Sequence, residues 1–392
     1  MAEEVVEVQL KETGFKLLAE QETVWNRLVK VKSNNRIATA YLFHGPSGCG
    51  KEGFAIKFAA LLNCRDSDTN ACGDCSSCRN IIKFQHANLT MIIPYPRNKT
   101  ITKKDPAEKA LSANSMKQLD ELKKEKSKNL YLKLLLPRAN RILINSIRDL
   151  RKSIYLSSIE GGQKVVLIFD AHLLSAGQSE AGNALLKMLE EPPSNTTFVL
   201  TTDHLDQLMQ TIQSRCQKIQ FNSIPELVLS QWLKEMTDKN EDEIKMITQL
   251  SQGNARLSLE FVSESIESFT SSLKSLVKWV SIQSENNWRQ FINHGSSLNR
   301  SSPEEFKFQL KLLSCWFRDV YCIRNFNGRA NLILPGLKSE MESYAKMFGS
   351  GNFLNIISEI EMCSDSLKRN LNVNLVLINL LMNIRDQLKL KA

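Results

Sequence analysis

Tyr41-Leu42-Phe43-His44-Gly45-Pro46-Ser47-Gly48-Cys49-Gly50-Lys51-Glu52 is the stretch that decides the fold. Apolar residues lead into a glycine-rich turn. The turn leads into the helical pattern Phe54, Ala55, Phe58, Ala59, Leu62. The order is strand, loop, helix, and the loop reads G-x-x-x-x-G-K, the phosphate-cradling P-loop pattern. Gly45, Gly48 and Gly50 let backbone N–H groups converge on an anion, and the helix N-terminus adds its dipole. Lys51 is placed to reach the outer phosphates. The next position should carry a Ser or Thr hydroxyl for a magnesium ion, and it carries Glu52. A carboxylate there would crowd and repel a phosphate–metal cluster. The loop therefore reads as a nucleotide site that has lost a working part. An ordinary glycine turn would account for the glycines but not for the strand before them and the helix after them.

A length of 392 residues predicts two or three domains, and a hydrophobic share of 42% is enough to give each an ordinary core. No apolar run is long enough to span a bilayer. The start, Met1-Ala2-Glu3-Glu4, is acidic and lacks signal-peptide architecture, which predicts a cytoplasmic protein. The net charge of +9 permits contact with nucleic acid without requiring it. Nine cysteines without an export signal argue for thiols or metal ligands rather than disulfides.

Upstream of the P-loop, residues 5–35 carry a helical pattern through Leu17, Leu18, Val24, Leu28 and Val29, broken by Lys32-Ser33-Asn34-Asn35. Downstream, the P-loop helix runs into Cys64, followed by Cys72-Gly73-Asp74-Cys75-Ser76-Ser77-Cys78. Two overlapping C-x-x-C steps and a fourth Cys nearby give tetrahedral zinc spacing; a redox motif would need only two. No His or carboxylate is placed to leave an open position, so the expected zinc is structural. His86 is expected as a surface histidine outside that filled shell. Residues 89–93 read as a buried strand ended by Pro94 and Pro96. Residues 97–138 are lysine-rich and hold most of the net charge. They are expected as a flexible surface insertion, with a solvated helix over 107–128 as the alternative.

Ser146-Ile147-Arg148-Asp149 resembles a capping box at a helix start, with Ile147, Leu150 and Ile154 on one face. Gly161-Gly162 reads as a turn. Residues 164–170 form an apolar strand ending in Asp170. At the carboxyl end of a parallel strand such an acid can hold magnesium, as in a Walker B element. A hydrolysing site would usually place Glu next, and here Ala171 and His172 follow. A helix over 183–191 stops at Pro192-Pro193, a strand follows at 197–202, then Thr211-Ile212-Gln213-Ser214-Arg215-Cys216 and a strand at 218–221. Strands alternating with helices predict a parallel sheet with helices on both faces. After Pro225 come helices carrying Leu227, Trp232 and Leu233, then Ile244, Ile247 and Leu250. Gly253 is expected as a C-cap and Asn254 as the next N-cap. From about 270 the pattern is helical throughout. Its stripes, such as Phe306, Leu310, Leu313, Phe317 and Leu377, Leu381, Ile384, Leu388, are core or subunit-packing faces.

Several pieces together resemble one family, the AAA+ clamp-loader subunits of bacterial DNA polymerase III. They are the loop 45–51, the four-cysteine insertion, Asn183-Ala184-Leu185-Leu186-Lys187-Met188-Leu189-Glu190-Glu191-Pro192-Pro193, and Ser214-Arg215-Cys216, in the family's order. The resemblance is close over roughly 15–265 and loose beyond, and the degenerate site looks most like the delta-prime type. It implies an α/β P-loop (AAA+) domain with a parallel sheet over 1–221, bearing a zinc module at 64–78 and the basic insertion at 97–138. A small helical lid at 222–268 and an all-α collar at 269–392 would follow. It implies a ring with gamma/tau motor subunits and a clamp-opening delta subunit that places the sliding clamp on primed DNA. It implies Arg215 as an arginine finger acting on a neighbour's ATP. Gly45, Gly48, Gly50, Lys51, Asp170 and a sensor-2 arginine at Arg256 would form a degenerate site where ATP binds weakly or not at all. Zinc would sit on Cys64, Cys72, Cys75 and Cys78. The segment 97–138 departs from the family's compact pattern and takes no role from the resemblance.

Three functions compete: a non-hydrolysing loader subunit, an active gamma/tau-type ATPase with an unusual P-loop, and a stand-alone zinc-containing nucleic-acid-binding protein. Glu52 and Ala171 favour the first over the second. Ser214-Arg215-Cys216 and the helical tail favour it over the third, since a lone binder needs neither.

Overall fold

In a computed structural model the described residues are 21–155, 162–177, 179–263, 266–326, 332–367 and 371–388. The chain divides into two compact units, one of Met1–Asp238 with Ser251–Glu260, the other of Lys239–Leu250 with Phe261–Ala392.

The first unit opens with α1 (Glu22–Ser33), β1 (Ala40–His44), α2 (Lys51–Asn63), α3 (Ser76–Ile82) and β2 (Leu89–Ile92). Next come α4 (Ala113–Lys128), α5 (Ile144–Ile154), β3 (Lys164–Ile168), α6 (Glu180–Glu190) and β4 (Thr196–Thr202). α7 (Gln210–Gln213), β5 (Gln217–Gln220) and α8 (Glu226–Met236) follow. The five strands pair in the order β2-β3-β4-β1-β5, and every pairing is parallel. Parallel strands need helical crossovers, and these cover both faces. Alternation along β1 divides the core. Tyr41 and Phe43 join Phe54 and Phe58 of α2 in one buried cluster, while Ala40 and Leu42 join Ile147, Leu150, Leu185 and Met188 in the other. The P-loop thus leaves the second strand from the β5 edge, with strands on both sides to fix its carboxyl end.

Several expectations change. The helix expected over 5–35 is seen as α1, and residues 5–20 lie outside the described residues, as does Gly161. Ser146 is no N-cap: α5 begins two residues earlier, with Leu143 at its N-cap and no side-chain bond there. The pull is tertiary, because Ile142 and Leu143 are buried and start the turn early. His86 is not on the surface. It is 6% exposed, with Nε2 2.9 Å from Ser77 Oγ and Nδ1 accepting from the Asn88 N–H at 3.1 Å.

The largest correction concerns 97–138, which is not a flexible surface insertion. A 3-10 turn, Ala107–Ala110, and α4 form within it, and Ser112 caps α4 by accepting from the Ser115 N–H at 3.1 Å. Leu111, Leu119, Leu130, Leu134 and Leu136 join the α2 core. The Ala107 N–H donates to Asp149 Oδ2 at 2.9 Å, and Asn145 Nδ2 donates to the carbonyls of Thr102 and Asp105. The lysine count hid the leucines that pack this segment.

The second unit is helical among its described residues. Most of α9 (Glu241–Ser251) lies in it; α10 (Ala255–Ser263) begins in the first unit and ends here. Then come α11 (Ile266–Ser281), α12 (Glu285–Ser301), α13 (Pro303–Phe326), α14 (Lys338–Met347), α15 (Phe353–Ser366) and α16 (Val373–Gln387). Phe306, Phe317 and Leu377, on the stripes read from the sequence, are fully buried, and so are Phe291 and Phe353. Leu375, Ile378 and Met382 on α16 stay exposed. No helix among the described residues is long and apolar enough to cross a membrane.

Candidate functional site

The P-loop turns where the sequence places it. Gly45 has φ +145°, and a Cβ there would collide with the Phe221 carbonyl. Gly50 has φ +88°, and a Cβ there would lie 2.9 Å from the Tyr131 ring. Both conditions demand glycine. Lys51 is buried, and its ammonium turns back on its own chain: it donates to the Gly45 carbonyl at 2.9 Å and the Pro46 carbonyl at 2.5 Å, and pairs with Asp203 Oδ1 at 2.6 Å. Gly48 meets the Asn254 side chain, the Ala255 N–H donates to the Gly48 carbonyl at 3.1 Å, and Asn254 Oδ1 caps α10 through the Leu257 N–H.

Asp170 lies just past β3 in the left-handed region (φ 50°, ψ 47°) and is 4% exposed. Its Oδ1 is 2.7 Å from Lys133 Nζ, which also lies 3.7 Å from Asp203 Oδ2. Glu52 Oε2 is 2.6 Å from Lys126 Nζ, itself 1% exposed and also donating to the carbonyls of Leu130 and Leu132. Lys126 and Lys133 both come from the basic insertion. Burial lowers the Lys126 pKa, against the pull of Glu52. Burial would lower Lys133 too, but Asp170, Glu52 and Asp203 outweigh it and hold the ammonium above its ordinary value. Burial, with Glu52 and Asp203 adding to it, raises Asp170 against the pull of Lys133. Burial would raise Asp203, yet Lys51 and Lys133 win and lower it. The site opens as a pocket bordered by Ser47, Glu52, Tyr131, Lys133, Asp203 and Arg256 among others. Arg256 pairs along its helix with Glu260 at 3.0 Å.

The structure brings Gly45, Gly48, Gly50, Lys51, Asp170 and Arg256 to one end of the sheet, as the sequence suggests. It adds four residues that the sequence reading did not single out: Lys126, Tyr131, Lys133 and Asp203. Asp203 had a signal, a carboxylate just past the apolar β4 at the strand ends where ligands bind in such sheets. The other three had none, since only the fold of 97–138 brings them in. Beside Asp203, His172 Nδ1 lies 3.1 Å from Thr202 Oγ1 and its ring is edge-on to His204 at 4.9 Å. Burial, then His204 and Lys133, push its pKa down to about 4.

Cys64, Cys72, Cys75 and Cys78 bring their sulfurs within 4.8 Å of one another. The Cys72 and Cys78 sulfurs are 3.9 Å apart, close to the roughly 3.8 Å between corners of a tetrahedron with zinc–sulfur arms of about 2.3 Å. Each C-x-x-C turn folds an N–H onto a sulfur, Cys75 to Cys72 at 3.3 Å and Cys78 to Cys75 at 3.4 Å. The donor set and its spacing fit a zinc ion. Arg215 stands elsewhere, partly exposed after α7, with Nη2 2.6 Å from Glu190 Oε1 and Nη1 donating to the Thr211 carbonyl at 2.9 Å.

Among known proteins, the tau subunit of DNA polymerase III from Bacillus subtilis is 26% identical over 258 residues, which is 64% of this chain and 38% of that protein. The delta' subunit of DNA polymerase III from Pseudomonas aeruginosa is 28% identical over 237 residues, 60% of this chain and 58% of that protein. The matches thus span less than two thirds of these relatives' own length. Among solved structures, a DNA polymerase III gamma subunit-related protein from Thermotoga maritima aligns with a TM-score of 0.39 at 17% identity, over 95% of this chain and 100% of that one. A score that low carries no argument. The family model for the delta subunit of DNA polymerase III matches residues 20–225, more than half of the chain. With the P-loop, the parallel sheet and the cysteine cluster all lying inside the matched span, the chain belongs to the DNA polymerase III delta-subunit family of clamp-loader proteins.

Proposed function

We propose that this chain is a loader subunit of the delta-prime kind, which helps place a sliding clamp on primed DNA without hydrolysing ATP itself. The observation that carries the reading is Ala171. It is fully buried directly after Asp170 and puts a methyl group where a hydrolysing site needs a carboxylate to orient water. Glu52 at the magnesium-hydroxyl position supports it. Residues 1–221 would be the P-loop domain, 222–268 a lid, and 269–392 a collar; the exposed Leu375, Ile378 and Met382 supply an apolar face that such a collar would cover. Cys64, Cys72, Cys75 and Cys78 would hold a structural zinc, a divalent cation that lets the four sulfurs stay ionised side by side.

Arg215 would act in trans, on nucleotide bound to a gamma/tau-type neighbour. Its planar fork can hold two phosphate oxygens, and its ion pair with Glu190 lies at the surface, where exchange for a stronger anion costs little. Partners would be the motor subunits and a clamp-opening delta subunit, with clamp and DNA reached through the assembled complex in the cytoplasm. The test is phosphate release by the purified chain, with and without primed DNA, which should stay at background. Turnover that vanishes in Lys51→Ala would restore the motor reading. In a reconstituted loader, Arg215→Ala should assemble normally and hydrolyse and load more slowly; unchanged rates would reduce Arg215 to a surface residue.

A further inference from the structure

The three carboxylates at the P-loop, Glu52, Asp170 and Asp203, all meet cations from the same chain. Asp203 takes Lys51 at 2.6 Å, Asp170 takes Lys133 at 2.7 Å, and Glu52 takes Lys126 at 2.6 Å. Three acids and three ammonium groups balance, and Arg256, the other cation at the cavity, pairs with Glu260. No phosphate and no metal is needed to close the charge. In a working P-loop site the strand-end carboxylate faces a divalent cation. Here it faces the Lys133 ammonium.

The two lysines are not on a loose arm. Between them the chain turns tightly: the Tyr131 N–H donates to Asn129 Oδ1 at 3.0 Å and the Leu132 N–H to the Asn129 carbonyl at 3.1 Å. Leu130, Leu134 and Leu136 are buried in the core of α2. The Tyr131 ring lies over Gly50 and packs against Trp232 with centroids 5.0 Å apart. Tyr131, Lys126 and Lys133 line the same pocket as Ser47, Gly48 and Gly50, so a phosphate seated on the P-loop amides would have to share that pocket with them. Apolar anchoring on either side of a buried cation makes displacement costly, since moving the turn uncovers leucines as well as breaking ion pairs.

We infer that residues 126–136 are a resident plug in which Lys133 replaces the magnesium ion and Lys126 neutralises Glu52. The plug holds the P-loop in one state whatever the nucleotide level. The inference rests on the non-hydrolysing reading above and adds the residues that enforce it. Lys126 and Lys133 of the basic insertion are thereby intramolecular ligands of the site.

The experiment uses the full-length, zinc-loaded chain and manganese(II), whose free-ion electron spin resonance signal falls on binding. The wild type should bind no manganese at about 1 mM, a bound set by ordinary weak-site affinities. Lys133→Ala frees Asp170 and should bind one ion per chain at least about tenfold more tightly than the wild type. Lys133→Arg keeps the cation and should bind none, and Lys133→Ala with Asp170→Asn should lose the gain. In parallel, amide hydrogen exchange over 129–136 of the wild type should be unchanged by millimolar ADP with magnesium. That arm decides even if Lys133→Ala does not fold. Manganese binding by the wild type, no gain in a folded Lys133→Ala, or faster exchange over 129–136 with ADP would overturn the plug. ATP turnover by the wild type would instead overturn the functional reading, so the two failures are distinguishable.

Discussion

Two places in the first unit gather acidic groups, and they are met in opposite ways. Around the P-loop, Glu52, Asp170 and Asp203 each face a lysine of the same chain, two of the three supplied from about 75 to 35 residues away in sequence. At the cysteine cluster, four sulfurs converge within 4.8 Å, and they receive bonds from backbone N–H groups, Cys75 to Cys72 and Cys78 to Cys75 among them. An N–H carries a partial charge and cannot offset four thiolates. One site is complete as the chain folds. The other would be completed from solution by a cation, so removing metal and removing lysine should strike different places.

The largest expected effect is at the cysteines. Stripping metal with a strong chelator, or Cys75→Ser, should remove about one zinc per chain and raise amide exchange over 64–82, at a cost of several kcal/mol, since structural zinc sites are worth on the order of 10 kcal/mol. Exchange over 129–136 should not change. If Cys75→Ser keeps a full zinc, the contrast between the two sites collapses. Next is Lys126→Met, which strands a largely buried Glu52 and should cost about 3–5 kcal/mol in urea unfolding. Adding Glu52→Gln should return most of that. A double variant as unstable as the single one would mean that Lys126 matters through its carbonyl contacts and not through its charge.

A smaller effect sharpens the electrostatics beside the plug. His172 faces His204, Lys133, Asp203 and Asp206, and burial leads the shift of its pKa from 6.5 to about 4. Between those values the unfolded chain takes up a proton that the folded chain refuses. This residue's share of stability is therefore intact above about pH 6.5 and lost as pH falls toward 4. Because the ring is partly solvated, the loss should be only about 1 kcal/mol. Stability measured from pH 7 to 4.5 should fall less steeply in His172→Gln; parallel curves would remove the residue from this account. Smallest of all, Glu190→Gln should change stability by a few tenths of a kcal/mol, as for exposed ion pairs. A loss above about 1 kcal/mol would mark the Arg215 pair as structural and weaken its role in trans.

What could be read in advance follows the range of the interactions. The strand, the P-loop and the cysteine spacing are local patterns, and each appears where the residues place it: β1 within a residue, α2 starting at Lys51, four sulfurs together. The segment 97–138 failed as a reading because its meaning is set at long range. Lys126 looks like any helix lysine until the fold puts Glu52 beside it, and Leu130, Leu134 and Leu136 show no clean helical or strand period. Ser146 failed for a related reason, since a capping motif two residues inside a helix is overruled by buried Ile142 and Leu143. His86 could be excluded as a ligand from the count of sulfurs, but its burial against Ser77 could not be read from its neighbours in sequence.

The Glu52–Lys126 pair also constrains how such a chain could change by single substitutions. A serine at 52 would leave an enclosed ammonium with only the Leu130 and Leu132 carbonyls and the Phe169 ring to hold it. Replacing Lys126 first would leave the carboxylate instead. Either intermediate gives up several kcal/mol in a fold whose whole margin is about 5–15 kcal/mol. The two positions are entrenched: each makes a change at the other deleterious, so placing a hydroxyl at 52 needs both to change together.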